Sequence, residues 1–231
     1  MKKVDLSGLD PKLEPESETI HRLTRMGIGL IPVVGGSLLE VFNSILESPL
    51  SKRRTETMIQ LGEVINDLIE QGVVTEAGLQ ANDAFISTVA EVCAISLRNH
   101  QSEKLEALRN AVRNAALPTC PSDDYRQMFL NYIDQFTVTH LKILRFANDP
   151  TAWFAATGTH FPGYKSGDIK DVIDAAIPEL QGHSELRDAI WSDLALNNLI
   201  ELHLTIDDKA KDETFDRKTT PMGAELVRFI G

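Results

Sequence analysis

The sequence predicts a mainly α-helical protein, with an N-terminal helical bundle followed by a winged-helix-like C-terminal domain that carries one small β-hairpin. Three observations lead there. Apolar residues recur at three-and-four spacing along most of the 231 residues. Aromatic residues make up only 6% of the chain, which favours aliphatic helix packing over a β-sandwich. One short run alternates instead, with Leu202, Leu204 and Ile206 facing one way and His203 and Thr205 the other, and helical patterns lie on both sides of it.

Residues 1–16 hold Gly8, Pro11, Pro15 and scattered charges without periodicity, and read as a flexible tail. Ser17 can cap a short helix with Ile20, Leu23 and Met26 inside and His21, Arg22 and Arg25 outside. From Met26 to Ser51 the only charges are Glu40 and Glu47. That length could span a bilayer, but Pro32, Gly35, Gly36 and the two carboxylates favour a buried helical hairpin whose glycines let backbones approach. The competing expectation is a segment that enters lipid when released. Ser37 and Glu40 have the spacing of a capping box. Pro49 is expected to break the chain, and Ser51 to open a helix with Met58, Leu61, Val64, Ile65, Leu68 and Ile69 on its buried face, ended by Gly72.

Thr75 is placed to cap a short turn through Leu79. The run from Phe85 to Leu97 is apolar on most sides and suits the centre of a bundle. Ser102 is expected to cap an amphipathic surface helix carrying Leu105, Leu108, Val112 and Ala115. Ser122-Asp123-Asp124 opens another, with Met128, Phe129, Tyr132, Ile133 and Phe136 buried. The β-branched run Thr137-Val138-Thr139 marks the expected domain boundary, so that residues 17–136 form the bundle and 137–231 the winged-helix-like part. Thr137 caps a helix to Asn148, and Asp149-Pro150 reads as a cap followed by proline at the first helical position. Residues 158–167 are glycine-rich and read as a loop. Helices are expected at 168–180 and 184–200, the second carrying Leu186, Ile190, Leu194 and Leu199. Strands 201–206 and 215–219 then enclose a charged tip, and Pro221 to Ile230 forms a closing helix.

The net charge of −11 is unevenly spread. Residues 1–60 hold eight basic and eight acidic side chains; the rest of the chain holds fifteen and twenty-six. An acidic surface repels phosphate backbones and anionic lipid, so DNA is a poor partner for the C-terminal part. Its candidate recognition helix offers Arg187, Asn197 and Asn198, but also Glu185, Asp188 and Asp193. The cations placed to meet a membrane or an acidic partner are Arg22, Arg25, Lys52, Arg53 and Arg54, which makes residues 20–54 the candidate membrane-engaging segment.

The six histidines form no metal-binding pattern, and the most site-like, His160, sits in the glycine-rich loop. Gly27, Gly29, Gly35 and Gly36 do not make a phosphate loop, and no nucleophile elbow is present. Cys93 and Cys120 have no metal-ligand spacing, and Cys93 reads as a buried free thiol. These features predict no catalytic residue, no cofactor and no metal. Residues 1–10 lack the apolar core of a secretory signal, so the expected location is cytoplasmic.

Two passages resemble a known family. Ile31-Pro-Val-Val-Gly-Gly-Ser-Leu-Leu-Glu-Val-Phe with Pro49-Leu-Ser-Lys-Arg-Arg54 resembles the N-terminal part of Abi-alpha-like bacterial helical proteins. Leu194 to Ile200 and Thr219-Thr-Pro-Met-Gly-Ala-Glu-Leu-Val-Arg-Phe-Ile230 resemble their C-terminal end. The resemblance covers about a third of the chain. It implies a link to abortive infection and phage defence, with no functional residues to transfer. The resulting expectation is a non-enzymatic protein acting through another protein or through self-association. A membrane-engaging effector and a winged-helix DNA-binding regulator are the alternatives.

Overall fold

The computed structural model describes residues 36–159, 169–201 and 217–231, with side chains from residue 49 onward. The described residues form ten α-helices and one short 3-10 turn and contain no extended strand. The chain divides into two compact units, residues 1–100 and 101–231. The boundary anticipated at residues 136 and 137 lies inside the second unit.

The first unit contains α1 (Gly36–Glu70), α2 (Glu76–Gln80) and α3 (Asp83–Arg98). α1 runs straight through Pro49, where the sequence suggested a break and a new helix at Ser51. A proline inside a helix forfeits the hydrogen bond to the carbonyl four residues back. Pro49 is exposed, and the helix continues past it to Glu70. Leu61, Val64, Leu68 and Ile69 of α1 are buried, and α1 packs along α3, whose Phe85, Val92 and Ile95 are buried in turn. α3 is not apolar-covered all round, because Ile86 is 48% exposed. Gly72 ends α1 in the left-handed region (φ 69°), where glycine pays no steric penalty, and the Thr75 hydroxyl accepts from the Gly78 N–H at 3.1 Å to start α2.

The second unit contains α4 (Ser102–Ala115), α5 (Asp123–Gln135), α6 (Val138–Asn148), α7 (Pro150–Thr157), α8 (Ile169–Ala176), the 3-10 turn Pro178–Leu180, α9 (Ser184–Leu196) and α10 (Pro221–Ile230). α6 is its hub. Leu141, Ile143, Leu144, Phe146 and Ala147 are buried, and α7, α8, α9 and α10 all pack against this helix. The Thr137 hydroxyl accepts from the His140 N–H, while His140 Nδ1 accepts from the Thr137 N–H, a reciprocal cap that starts α6. Asp149 caps α7 through the Ala152 N–H at 2.8 Å, with Pro150 at the first helical position.

Four expectations are corrected here. α4 is not a surface helix, because Ala107, Ala111 and Ala115 recur every four residues at 0% exposure and let α10 lie close against it. Ser102 is its first helical residue, and Gln101 occupies the cap position. Met128 is 40% exposed, while Phe129 and Ile133 take the buried face of α5. The helix expected at 168–180 gives way at Ile177, since the residue before Pro178 is pushed out of the helical region.

α10 closes the unit at both ends. The Thr220 hydroxyl accepts from the Gly223 N–H at 3.1 Å and donates to the Asn198 carbonyl at 2.6 Å. The last carbonyls of a helix lack internal partners. Here Asn114 Nδ2 donates to the Phe229 carbonyl at 2.9 Å, and both Asn110 and Arg145 donate to the Ile230 carbonyl at 3.1 Å.

Candidate functional site

The features that distinguish the second unit gather on α9. Its inward arc carries Arg187, Ile190, Trp191 and Leu194, all buried. The expected stripe Leu186, Ile190, Leu194 drifts about 40° around the axis per step at 3.6 residues per turn, so its first member rolls out of the core. Leu186 is accordingly 51% exposed. Leu196, near the centre of the outward arc, is 83% exposed. Ala189, Ser192 and Asp193 are the exposed residues between them and Glu185 is exposed just before, so the outward face presents two leucines, two small residues and two carboxylates, without a cation.

Arg187 is the reason for that absence. Its Nη1 meets Asp174 Oδ2 at 2.5 Å and its Nε meets Asp188 Oδ1 at 3.1 Å, while Lys170 holds Asp188 Oδ2 at 3.0 Å. Burial works to raise the Asp188 pKa, but the bonds from Lys170 and Arg187 outweigh it and hold the carboxyl below its ordinary range. The arginine singled out as a groove-reading residue is thus committed inside the fold. Of the other two candidates, Asn197 donates to the Asp193 carbonyl at 2.8 Å. Asn198 ends the helix in the left-handed region at φ 56°.

Beyond α9, Ile200 and Thr219 form an isolated antiparallel bridge. The Glu201 N–H donates to the Lys218 carbonyl at 2.9 Å, and the Thr220 N–H donates to the Leu199 carbonyl at 3.1 Å. The expected hairpin otherwise falls on residues 202–216, outside the described residues. Next to the bridge, the Lys218 N–H donates to the Ala147 carbonyl at 2.7 Å, and the Thr219 hydroxyl donates to Asn148 Oδ1 at 3.0 Å.

His140 links α6 to the flank of the same face. Its Nε2 lies 3.2 Å from Asp193 Oδ2, and its ring stacks on Phe136 (centroids 4.9 Å apart), which stacks on Tyr132 (5.1 Å). Since Nδ1 accepts from the Thr137 N–H, the neutral ring carries its proton on Nε2 and donates it to the carboxylate. Burial lowers the His140 pKa, and the Asp193 carboxylate only partly restores it. A folded pKa below the unfolded value of about 6.5 means that the neutral ring stabilises the fold above that pH. This contribution is lost as pH falls through the folded pKa. In thermal melts between pH 7.5 and 5, the wild type is expected to lose more stability than His140→Gln; parallel curves for the two would contradict this linkage.

The residues expected to contact a membrane or partner separate into two groups. Arg22 and Arg25 lie outside the described residues, as does His160. Lys52 pairs with Glu56 at 3.8 Å on an exposed turn of α1, whereas Arg53 Nη1 donates to the Leu97 carbonyl at 3.4 Å and so helps to join α1 to α3. Cys93 is half-buried rather than enclosed, with its Sγ 3.9 Å from Met58 Sδ, and burial raises its pKa. Among the described residues no group of histidine, cysteine and carboxylate side chains is arranged to hold a metal, and no helix is long and apolar enough to cross a membrane. Comparison with protein-family models, curated proteins and solved structures gives no match.

Proposed function

We propose that this chain acts through protein–protein contacts rather than catalysis, with the outward face of α9 as its contact surface, and that it serves in phage defence as its resemblance to Abi-alpha-like proteins implies. The observation that carries the reading is the pairing of a committed Arg187 with an exposed Leu186 and Leu196. A helix that enters a DNA groove needs Arg, Lys, Asn or Gln projecting outward and cations near phosphates. This face offers carboxylates and leucines instead.

The element order supports a winged-helix-like second unit. A first helix (α6), whose last residues Ala147 and Asn148 bond to residues 217–219, is followed by α7, α8 and α9, and the Ile200–Thr219 bridge stands at the base of the expected hairpin. In that architecture α9 takes the place of the recognition helix, and its side chains suit a protein partner.

Two measurements test the reading. A photo-crosslinking residue at position 196 is expected to give protein adducts in cells, and duplex DNA at physiological salt is expected to bind no tighter than about 10⁻⁴–10⁻⁶ M. Nanomolar, steeply salt-dependent DNA binding would overturn it. The defence role is tested separately, by plaque counts on hosts with and without the gene, and equal counts would remove it.

A further inference from the structure

We propose that the occupant of the α9 face is a basic amphipathic helix of a partner protein. This rests on the reading that the chain works through protein contacts, and adds the chemistry of the partner. Leu186 and Leu196 are ten residues apart, about 15 Å along a helix axis, which is the spacing of two anchors on an opposing helix of three to four turns. Ala189 and Ser192 between them are small, so an opposing backbone can come close.

The charges select the partner's sign. Glu185 and Asp193 are exposed on the face, Asp193 with half of its side chain accessible. The cations on α8 and α9, Lys170 and Arg187, are taken up by Asp174 and Asp188. An apolar strip rimmed by two carboxylates, one of them bonded to the neutral His140 ring, is complementary to leucines flanked by lysine or arginine. A second copy of this chain would set Glu185 and Asp193 against their own equivalents, an arrangement that like-charge repulsion disfavours. The chain's net charge of −11 adds a longer-range attraction for a basic partner.

The test uses the full chain and two labelled 18-residue helical peptides with the same leucine pattern, one with lysine and one with glutamate at the remaining positions. Fluorescence anisotropy at about 0.15 M salt, where surface charge is screened beyond about 8 Å, is expected to show binding of the lysine peptide alone. Leu186→Ser with Leu196→Ser is expected to weaken it at least tenfold, and Glu185→Gln a few-fold. If the double variant unfolds, Leu196→Ser alone is read instead, since that side chain is 83% exposed.

Equal affinity of the wild type and the serine variants would show only a general attraction to an acidic chain and would overturn the proposal. Equal binding of the glutamate peptide would do the same, as would a dimer in sedimentation that Leu196→Ser dissolves. Protein adducts at position 196 without lysine-peptide binding would defeat this inference and leave the protein-contact reading standing. Tight duplex DNA binding would defeat both.

Discussion

Gly223→Ala is expected to destabilise the second unit by about 1–3 kcal/mol, the cost of overpacking a tight contact. Two effects of opposite sign compete. Within a helix, alanine is better than glycine by about 1 kcal/mol, so the change should be favourable if propensity alone decided it. A Cβ at this position, however, would sit 1.8 Å from the Leu199 carbonyl oxygen and 2.8 Å from its carbon. Those are backbone atoms, held by the Thr220 N–H on one side and the end of α9 on the other, so no side-chain rotation relieves the clash. The steric term wins. Urea unfolding followed by circular dichroism should show a lower midpoint for the variant. A midpoint unchanged or raised would mean that α10 does not approach Leu199 this closely.

Arg187→Met should cost about 3 kcal/mol, the low end of the range for breaking a buried ion pair. The arginine side chain is 8% exposed, but Asp174 and Asp188 keep 25% and 42%, so water screens part of the charge left behind. Pairing Arg187→Met with Asp174→Asn should recover part of the loss, because the second change removes the orphaned charge. Additive losses in the double variant would show that arginine packing, and not charge pairing, holds α8 against α9. Among the described residues Asp174 Oδ1 is already buried without a hydrogen-bond partner, which is why the arginine's removal should weigh most heavily there.

Much of the helical architecture could be read along the chain, and the caps were its clearest marks. Thr75, Thr137 and Asp149-Pro150 each start a helix where the local chemistry placed one, because a cap is decided by residues within one turn. Pro49 reads as a break for the same reason, since a local rule says nothing about the packing of the rest of α1, which carries the helix through it. The burial of α4 was hidden because its partner, α10, is more than a hundred residues away.

The candidate face was the least legible part. By spacing Leu186 reads as core, Leu196 carries no signal, and Arg187 reads as an outward cation, whereas Leu186 and Leu196 are exposed and Arg187 is buried. Only the rotation of α9 about its axis distinguishes these outcomes. That rotation is fixed by Asp174 and Lys170 of α8 and by the helices underneath, and period counting carries no phase.

The closing of α10 on α4 also sets a schedule for the growing chain. α4 is synthesised more than a hundred residues ahead of the helix that covers Ala107, Ala111 and Ala115 and supplies the carbonyls for Asn110 and Asn114. At about 5–20 residues per second, the wait is on the order of ten seconds. During it the alanine groove is wet and the two asparagines have only water to bond. Closure then has to gather a loop of that size in one late step, which places the second unit among the slower-folding helical assemblies. A ribosome paused between α9 and α10 would therefore hold a chain whose first unit can already be compact and whose second still displays an unfilled groove, the state a chaperone or a protease would meet first.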